Sequence, residues 1–233
     1  MNIDELGRHS SPFRPGSGPG RGLACSGAQS GHTLAPEVTQ SNTALSTRRI
    51  TVLGSLMIIL PLSRERRARV WFDRPDGYAT QPSEIRVNQI RPKARVEEYR
   101  RSVVVEMLVP AGARFEYGLL GATVIDNGTA TGEIALEVAV TGAKGPIFAE
   151  SLAGSLDAVR WGLPAEYAES VEVGAREALL ADGAPAGHRL QFAWAAHGYV
   201  GSNSHRFGRL AALVVRLLVK TNEAELKDLI ESS

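Results

Sequence analysis

Residues 132–182 change their apolar spacing partway along, and that change limits the folds open to this chain. From Gly132 to Thr141 the pattern has a period of two. Ile134, Leu136, Val138 and Val140 point one way, Glu133 and Glu137 the other. This predicts a strand with one face buried. After Pro164 the spacing becomes helical, and Tyr167, Val171, Ala175 and Ala178 fall on one face. Pro164 suits a helix start, where a missing N–H costs nothing. Asp182-Gly183 supplies the stop. A strand followed by a long amphipathic helix excludes an all-β sandwich and an all-α bundle for this part of the chain.

The same reading extends in both directions. Val96 to Leu108 is strand-like, centred on Val103-Val104-Val105. Tyr117 to Asp126 is a second strand, ending at the turn signal Asn127-Gly128. Through Asn127–Thr131 it is expected to form a hairpin with the strand at 132–141. His188 to Ala196 is a further strand, with Leu190, Phe192 and Trp194 on one side. Ser202-Asn203-Ser204 caps a second helix. Its apolar face includes Phe207, Leu210, Ala211, Val214 and Leu218, and Arg206, Arg209, Arg216 and Lys220 are expected outside. A short terminal helix is expected from Asn222, with Glu225 placed for a capping box. The resulting order is βββαβα, an α+β two-layer sandwich with two helices over one face of a sheet.

This domain is assigned to residues 84–220, with the short C-terminal helix at 221–233. Residues 1–48 form a Gly/Pro/Ser-rich head expected to be disordered, because it has too little apolar surface to offset its ordering entropy. Its run Gly16 to Gly22 lacks the flanking strand and the Gly-Lys-Ser/Thr ending of a phosphate loop. Residues 49–83 are apolar and then Arg-rich. The apolar run from Ile50 to Leu62 is short of the roughly 20 residues that span a bilayer. It is expected to be a buried strand or short helix, with no membrane span.

Four segments carry a family resemblance. Leu163 to Leu179 contains Pro164, Glu166, Tyr167, Val171, Gly174, Glu177 and Leu179. Arg114-Phe115-Glu116-Tyr117-Gly118 leads into a long strand. His197 to Ser204 is a Gly- and Ser-rich loop, and Gly208 to Ala212 lies in the helix after it. Together, over about residues 86–220, these resemble domain IV of elongation factor G and of ribosomal protection proteins. That domain is the arm that reaches the decoding site. The resemblance implies a ribosomal protein S5 domain 2-like fold and an RNA-facing tip. Arg114 and Tyr199 are expected there, assisted by Arg206 and Arg209. Tyr199 stands where the family commonly carries a histidine, and an aromatic ring in that place can stack on a base. The first tip loop, Val109 to Arg114, is less glycine-rich and less basic than the family's. Gly174 is expected to let its helix lie close to the sheet.

Charge agrees in sign with a nucleic-acid partner. The net charge is +1 overall. Through Val104, 16 Lys+Arg face 9 Asp+Glu, which gives +7; the remaining 10 against 16 give −6. A basic first half attracts phosphates. A solvated basic surface gives the same pattern without function.

The chemistry of an enzyme is not legible. The single cysteine, Cys25, excludes a cysteine zinc cage within one chain, and its solitude agrees with a cytoplasmic location. No Gly-x-x-x-x-Gly-Lys-Ser/Thr motif cradles a triphosphate, so neither a bound nucleotide nor GTPase activity is expected. His197 and His205 are expected as loop or helix-cap residues, without metal-ligand spacing. Glu166, Glu169, Glu172 and Glu177 fit a solvated helix face. No catalytic residue, cofactor or metal is expected. Two functions remain: an accessory protein that binds ribosome or RNA without a GTPase, and a protein-interaction or regulatory module that keeps the fold but not RNA contact.

Overall fold

A computed structural model describes residues 48–52, 55–62, 65–72, 81–127, 132–220 and 225–233. The expectations for the head at 1–47, for the Gly128–Thr131 turn and for Asn222 lie outside the described residues. In chain order the elements are β1 (Arg48–Val52), β2 (Ser55–Pro61), β3 (Arg67–Trp71), β4 (Glu84–Ile90), β5 (Ser102–Ala111), β6 (Arg114–Asp126) and β7 (Ile134–Val140). A single 3-10 turn, Gly154–Leu156, follows. Then come β8 (Val159–Trp161), α1 (Ala165–Asp182), β9 (His188–Gly198), α2 (Ser204–Val219) and α3 (Leu226–Glu231). The protein is α+β, one large sheet with few helices.

The sheet runs β1-β2-β3-β5-β6-β9-β7-β4, and β8 pairs with β9. The strands β1 to β3 form an antiparallel meander joined to β5 through Arg67↔Leu108 to Trp71↔Val104. The sheet therefore begins well before the expected boundary at residue 84. The apolar run after Ile50 supplies two of its strands, and Ile58, Leu60 and Leu62 are buried in the main core.

Two expectations about β9 fail for physical reasons. The predicted hairpin of residues 117–126 with 132–141 does not form, because β9 lies between β6 and β7. An Asn-Gly turn signal is local, whereas β9 pairs its backbone groups on both edges along this stretch. It pairs antiparallel with β6 and parallel with β7. A parallel pair needs a long crossover, and α1 lies within that crossover. The tight hairpin is instead β5–β6, closed between Ala111 and Arg114 with Gly112 at φ 65°. That left-handed backbone favours glycine. The second failure concerns Trp194. The register of β6 with β9 shifts between Gly121 and Ala122, which face Trp194 and Phe192. Ala193 is thus the extra residue of a bulge, and a bulge moves later side chains to the other face. Leu190, Phe192 and Ala195 belong to the helix-side core, and Trp194 and Ala196 to the opposite one.

The helix-side core joins Phe207 and Leu210 of α2, with α1 and α3, to alternating residues of the strands, among them Val103, Val105, Leu120, Leu136 and Phe192. In α1 the buried stripe is Ala168, Val171, Gly174, Ala175, Ala178 and Leu179. The helix ends at Gly183, φ 89°, whose N–H donates to the Leu179 carbonyl. Gly174 acts differently from the expectation. A Cβ there would lie 2.1 Å from the Gly208 carbonyl oxygen. It sets the approach of α1 to α2, not of α1 to the sheet.

The opposite face carries a smaller core of Val104, Leu108, Tyr117, Leu119, Ala153, Val159, Trp194 and Ala196. No helix covers it. The connection 141–158 crosses it, and Phe148 rests on Trp161 at 4.4 Å. Glu106 is buried there with no exposure. It accepts hydrogen bonds from the Tyr117 hydroxyl (2.9 Å) and the Leu152 N–H (2.7 Å), and pairs with Arg69 at 3.3 Å. Glu225 is the N-cap of α3 and its side chain makes no cap bond to that helix; the expected capping box with Asn222 lies outside the described residues.

Candidate nucleic-acid interface

The β5–β6 turn and the β9–α2 loop meet at one end of the sheet. The β9 strand ends at Gly198, and the chain must then reverse to start α2 at Ser204. The loop is held from three sides. From β6, the Tyr117 N–H donates to the Gly201 carbonyl at 2.8 Å, and the Ser202 hydroxyl donates to the Tyr117 carbonyl at 2.8 Å. From the connection over the opposite face, Asp157 accepts the Val200 N–H at 3.1 Å and the Gly201 N–H at 2.8 Å. From the helix side, Asn203 caps α2 by accepting the Arg206 N–H at 2.8 Å. Gly201 lies so close to the Phe115 ring that a Cβ would sit 2.7 Å from it. This contact places the loop beside Arg114.

The anchoring leaves Tyr199 outside. It is 88% exposed, and Val200 beside it is 64% exposed. Leu156, one residue before Asp157, is 59% exposed. Arg114 is exposed at the start of β6. The structure thus brings Arg114 and Tyr199 to one end and directs both to solvent.

Arg206 is not where the sequence placed it. It is 2% exposed, and its Nε and Nη2 donate to one oxygen of Glu116 at 3.0 and 2.5 Å. The other Glu116 oxygen accepts from Asn203 Nδ2 at 3.2 Å. Helical spacing put Arg206 on the outer stripe, but the first turn of α2 lies against β6. A Cβ on Gly118 would come within 3.5 Å of the Arg206 stem. The missing side chain at Gly118 makes room for Leu210, one turn further along α2, whose Cδ1 a Cβ would meet at 2.6 Å. Burial opposes ionisation of Glu116, yet the hydrogen bonds from Arg206 and Asn203 hold its carboxyl below the usual range. Arg209, one turn on, is half-buried, and its Nη2 donates to the Ser232 carbonyl at 3.4 Å. Arg216 and Lys220 pair with Asp182 at 3.2 and 3.4 Å.

The residues of the resemblance have structural contacts. Pro164 is the N-cap of α1 and accepts the Tyr167 N–H at 3.1 Å. Tyr167 stacks on Phe207 at 4.8 Å and 10° and donates to the Ser202 carbonyl at 3.3 Å. Burial and the nearby Glu166 push its hydroxyl up to about 12. Glu166 is exposed, and its carbonyl accepts from the Ser204 hydroxyl. Val171 is fully buried. His197 is a buried strand residue rather than a loop one, and its Nδ1–H donates to the Gly162 carbonyl at 2.9 Å. His205 is exposed in the first turn of α2.

Sequence reasoning missed Asp157, Glu116 and Glu106. Glu106 carried a usable signal, a lone carboxylate in the apolar run Val103 to Val109. Asp157 carried none, since its partners lie more than forty residues away. Among the described residues, no group of three or more His, Cys, Asp or Glu could hold a metal ion, and no helix is long and apolar enough to cross a membrane. Comparison of the chain with family models, curated proteins and solved structures finds no match.

Proposed function

We propose that this protein binds ribosome or RNA through the sheet end that carries Arg114 and Tyr199, without a GTPase of its own. One observation carries the reading: an 88% exposed tyrosine on a loop whose backbone is tied down by Asp157, Ser202 and Tyr117. An aromatic ring carried on a held backbone loses less entropy on stacking than one on a loose loop, and a neighbouring arginine adds a phosphate contact. The order β5, β6, β7, α1, β9, α2, with the short β8 inserted, supports the likeness to domain IV of elongation factor G.

Arg206 takes a positioning role in this reading. Its pair with Glu116 holds the start of α2, and the Arg206→Ala change is expected to disturb folding. It is therefore unsuited to testing RNA contact. The exposed trio Leu156, Tyr199 and Val200 favours the second reading, a protein-interaction module, because apolar surface at a rigid tip also suits a protein partner.

Ribosome pelleting separates the two. Wild-type protein should pellet at low salt and release as salt rises, because phosphate contacts displace counterions. Tyr199→Ala should remove about 1–3 kcal/mol of binding if a base stacks there, and Arg114→Ala should flatten the salt dependence. Wild-type protein that stays in the supernatant at low salt, with its circular dichroism intact, leaves the protein-interaction reading standing.

A further inference from the structure

The helix α2, the β2–β3 turn and the end of α3 gather three arginines. Arg66 in the turn donates through Nη1 to the Glu231 carbonyl at 2.8 Å. Arg209 donates through Nη2 to the next carbonyl, Ser232, at 3.4 Å. The two guanidiniums thus reach adjacent carbonyls at one helix end. Arg206 lies one turn before Arg209 on α2.

The charge here is not balanced. Glu116 takes Nε and Nη2 of Arg206, and Arg206 Nη1 is buried without a protein partner. Among the described residues, no carboxylate comes within 4.0 Å of Arg66 or Arg209. Within ion-pair distance these three guanidinium charges meet one carboxylate, Glu116. Burial, and then repulsion by Arg206 and Arg66, lowers the Arg209 pKa. A cation pushed in that direction gains from an added anion.

We propose that Arg66 and Arg209, with the buried charge of Arg206 behind them, form a binding site for a phosphate group. Each of the two half-buried arginines spends one N–H on a main-chain carbonyl and keeps the rest of its planar fork, which matches tetrahedral oxyanions. Arg206 is too buried to touch the ligand and acts through its field. The carbonyls of Glu231 and Ser232 steady the two forks in the meantime. The site stands whether or not Tyr199 touches RNA.

The test uses the full chain and inorganic phosphate, at ionic strength matched with sodium chloride. Melting temperature and titration calorimetry are read together. Wild-type protein should show saturable phosphate binding and a melting temperature that rises with phosphate over chloride. Arg66→Gln/Arg209→Gln should lose the rise and weaken binding at least tenfold. Arg91→Gln, at an exposed arginine outside this cluster, should keep both. Should the double variant not fold, Arg209→Lys keeps the charge, removes the fork and should still weaken phosphate several-fold. Competition with a short single-stranded RNA identifies the source: displacement of phosphate assigns the site to a nucleic-acid backbone, and binding of both together assigns it to a free phosphate compound. A melting temperature that responds equally to phosphate and chloride, or phosphate binding unchanged in the arginine variants, overturns the proposal. Loss of ribosome pelleting with phosphate binding retained removes the tip reading alone.

Discussion

The two faces of the sheet are covered by different means, and each buries a carboxylate network that reaches toward the tip. On the helix face, Glu116 is partly exposed and is held ionised by Arg206 and Asn203. On the opposite face, Glu106 is fully buried, and its desolvation outweighs help from Leu152, Arg69 and Tyr117, so its pKa is raised. Covalently identical groups are displaced in opposite directions. The difference follows from burial: hydrogen bonds win where water still reaches the carboxylate, and desolvation wins where it does not. The tip loop is where the two coverings meet, since Asn203 ties it to the helix side and Asp157 to the other.

The largest effect should come from the helix face. Glu116→Gln leaves the buried Arg206 guanidinium without its counter-charge, and such breaks cost about 3 kcal/mol or more, reduced here because Glu116 is partly exposed. The depressed pKa fixes the sign. The contribution is present above the ordinary value of 4.5 and fades as pH falls through the lower folded value. Chemical denaturation of wild type and variant from pH 3 to 7 should show the gap opening with pH. A gap independent of pH would remove charge from the explanation.

Next in size is Gly174→Ala. The added methyl would meet the Gly208 carbonyl at 2.1 Å, and overpacking costs about 1–3 kcal/mol. The gain in helix propensity, about 1 kcal/mol, is too small to reverse this. A variant as stable as wild type would mean that α1 and α2 slide apart freely.

Asp157→Ala should act locally. Its carboxylate serves two loop amides, each bond worth about 0.5–1.5 kcal/mol. Hydrogen exchange at Val200 and Gly201 should speed up well before global stability falls. Uniform acceleration across the sheet would show that the loop is not separately anchored.

The subtlest effect concerns Glu106→Gln. Because the folded pKa is raised, the contribution of Glu106 is full below 4.5 and is lost as pH rises through the folded value. Relative to the glutamine variant, wild type should therefore lose stability as pH climbs, the reverse of Glu116. The same trend for both carboxylates would break the comparison between the faces.

The helix face was legible in the sequence because its signal is local. Tyr167, Val171, Ala175 and Ala178 announce α1, and Asn203 announces the start of α2, without knowledge of any partner. The other face was not, because its cover is a connection with almost no regular structure, held by Glu106 and Asp157 through contacts distant in sequence. Trp194 was placed on the wrong side because one bulge residue, Ala193, inverts a period-two pattern. Of the candidate site, Arg114 and Tyr199 were legible as a loop pair. Arg206 was not, since helical spacing could not foresee that Glu116, ninety residues away in sequence, pairs with it.

The central claim is that a rigidly held tip presents Tyr199 and Arg114 to RNA. Nuclear magnetic resonance of the Tyr199 ring and of the amides from Tyr199 to Gly201, during titration with short single-stranded RNA at low salt, tests it most directly. The account predicts upfield ring shifts at Tyr199 together with changes at Arg114, both absent in Tyr199→Ala and both reversed by salt. Saturation of the titration with no change at Tyr199 or Arg114, or no response at all from folded protein, would contradict it.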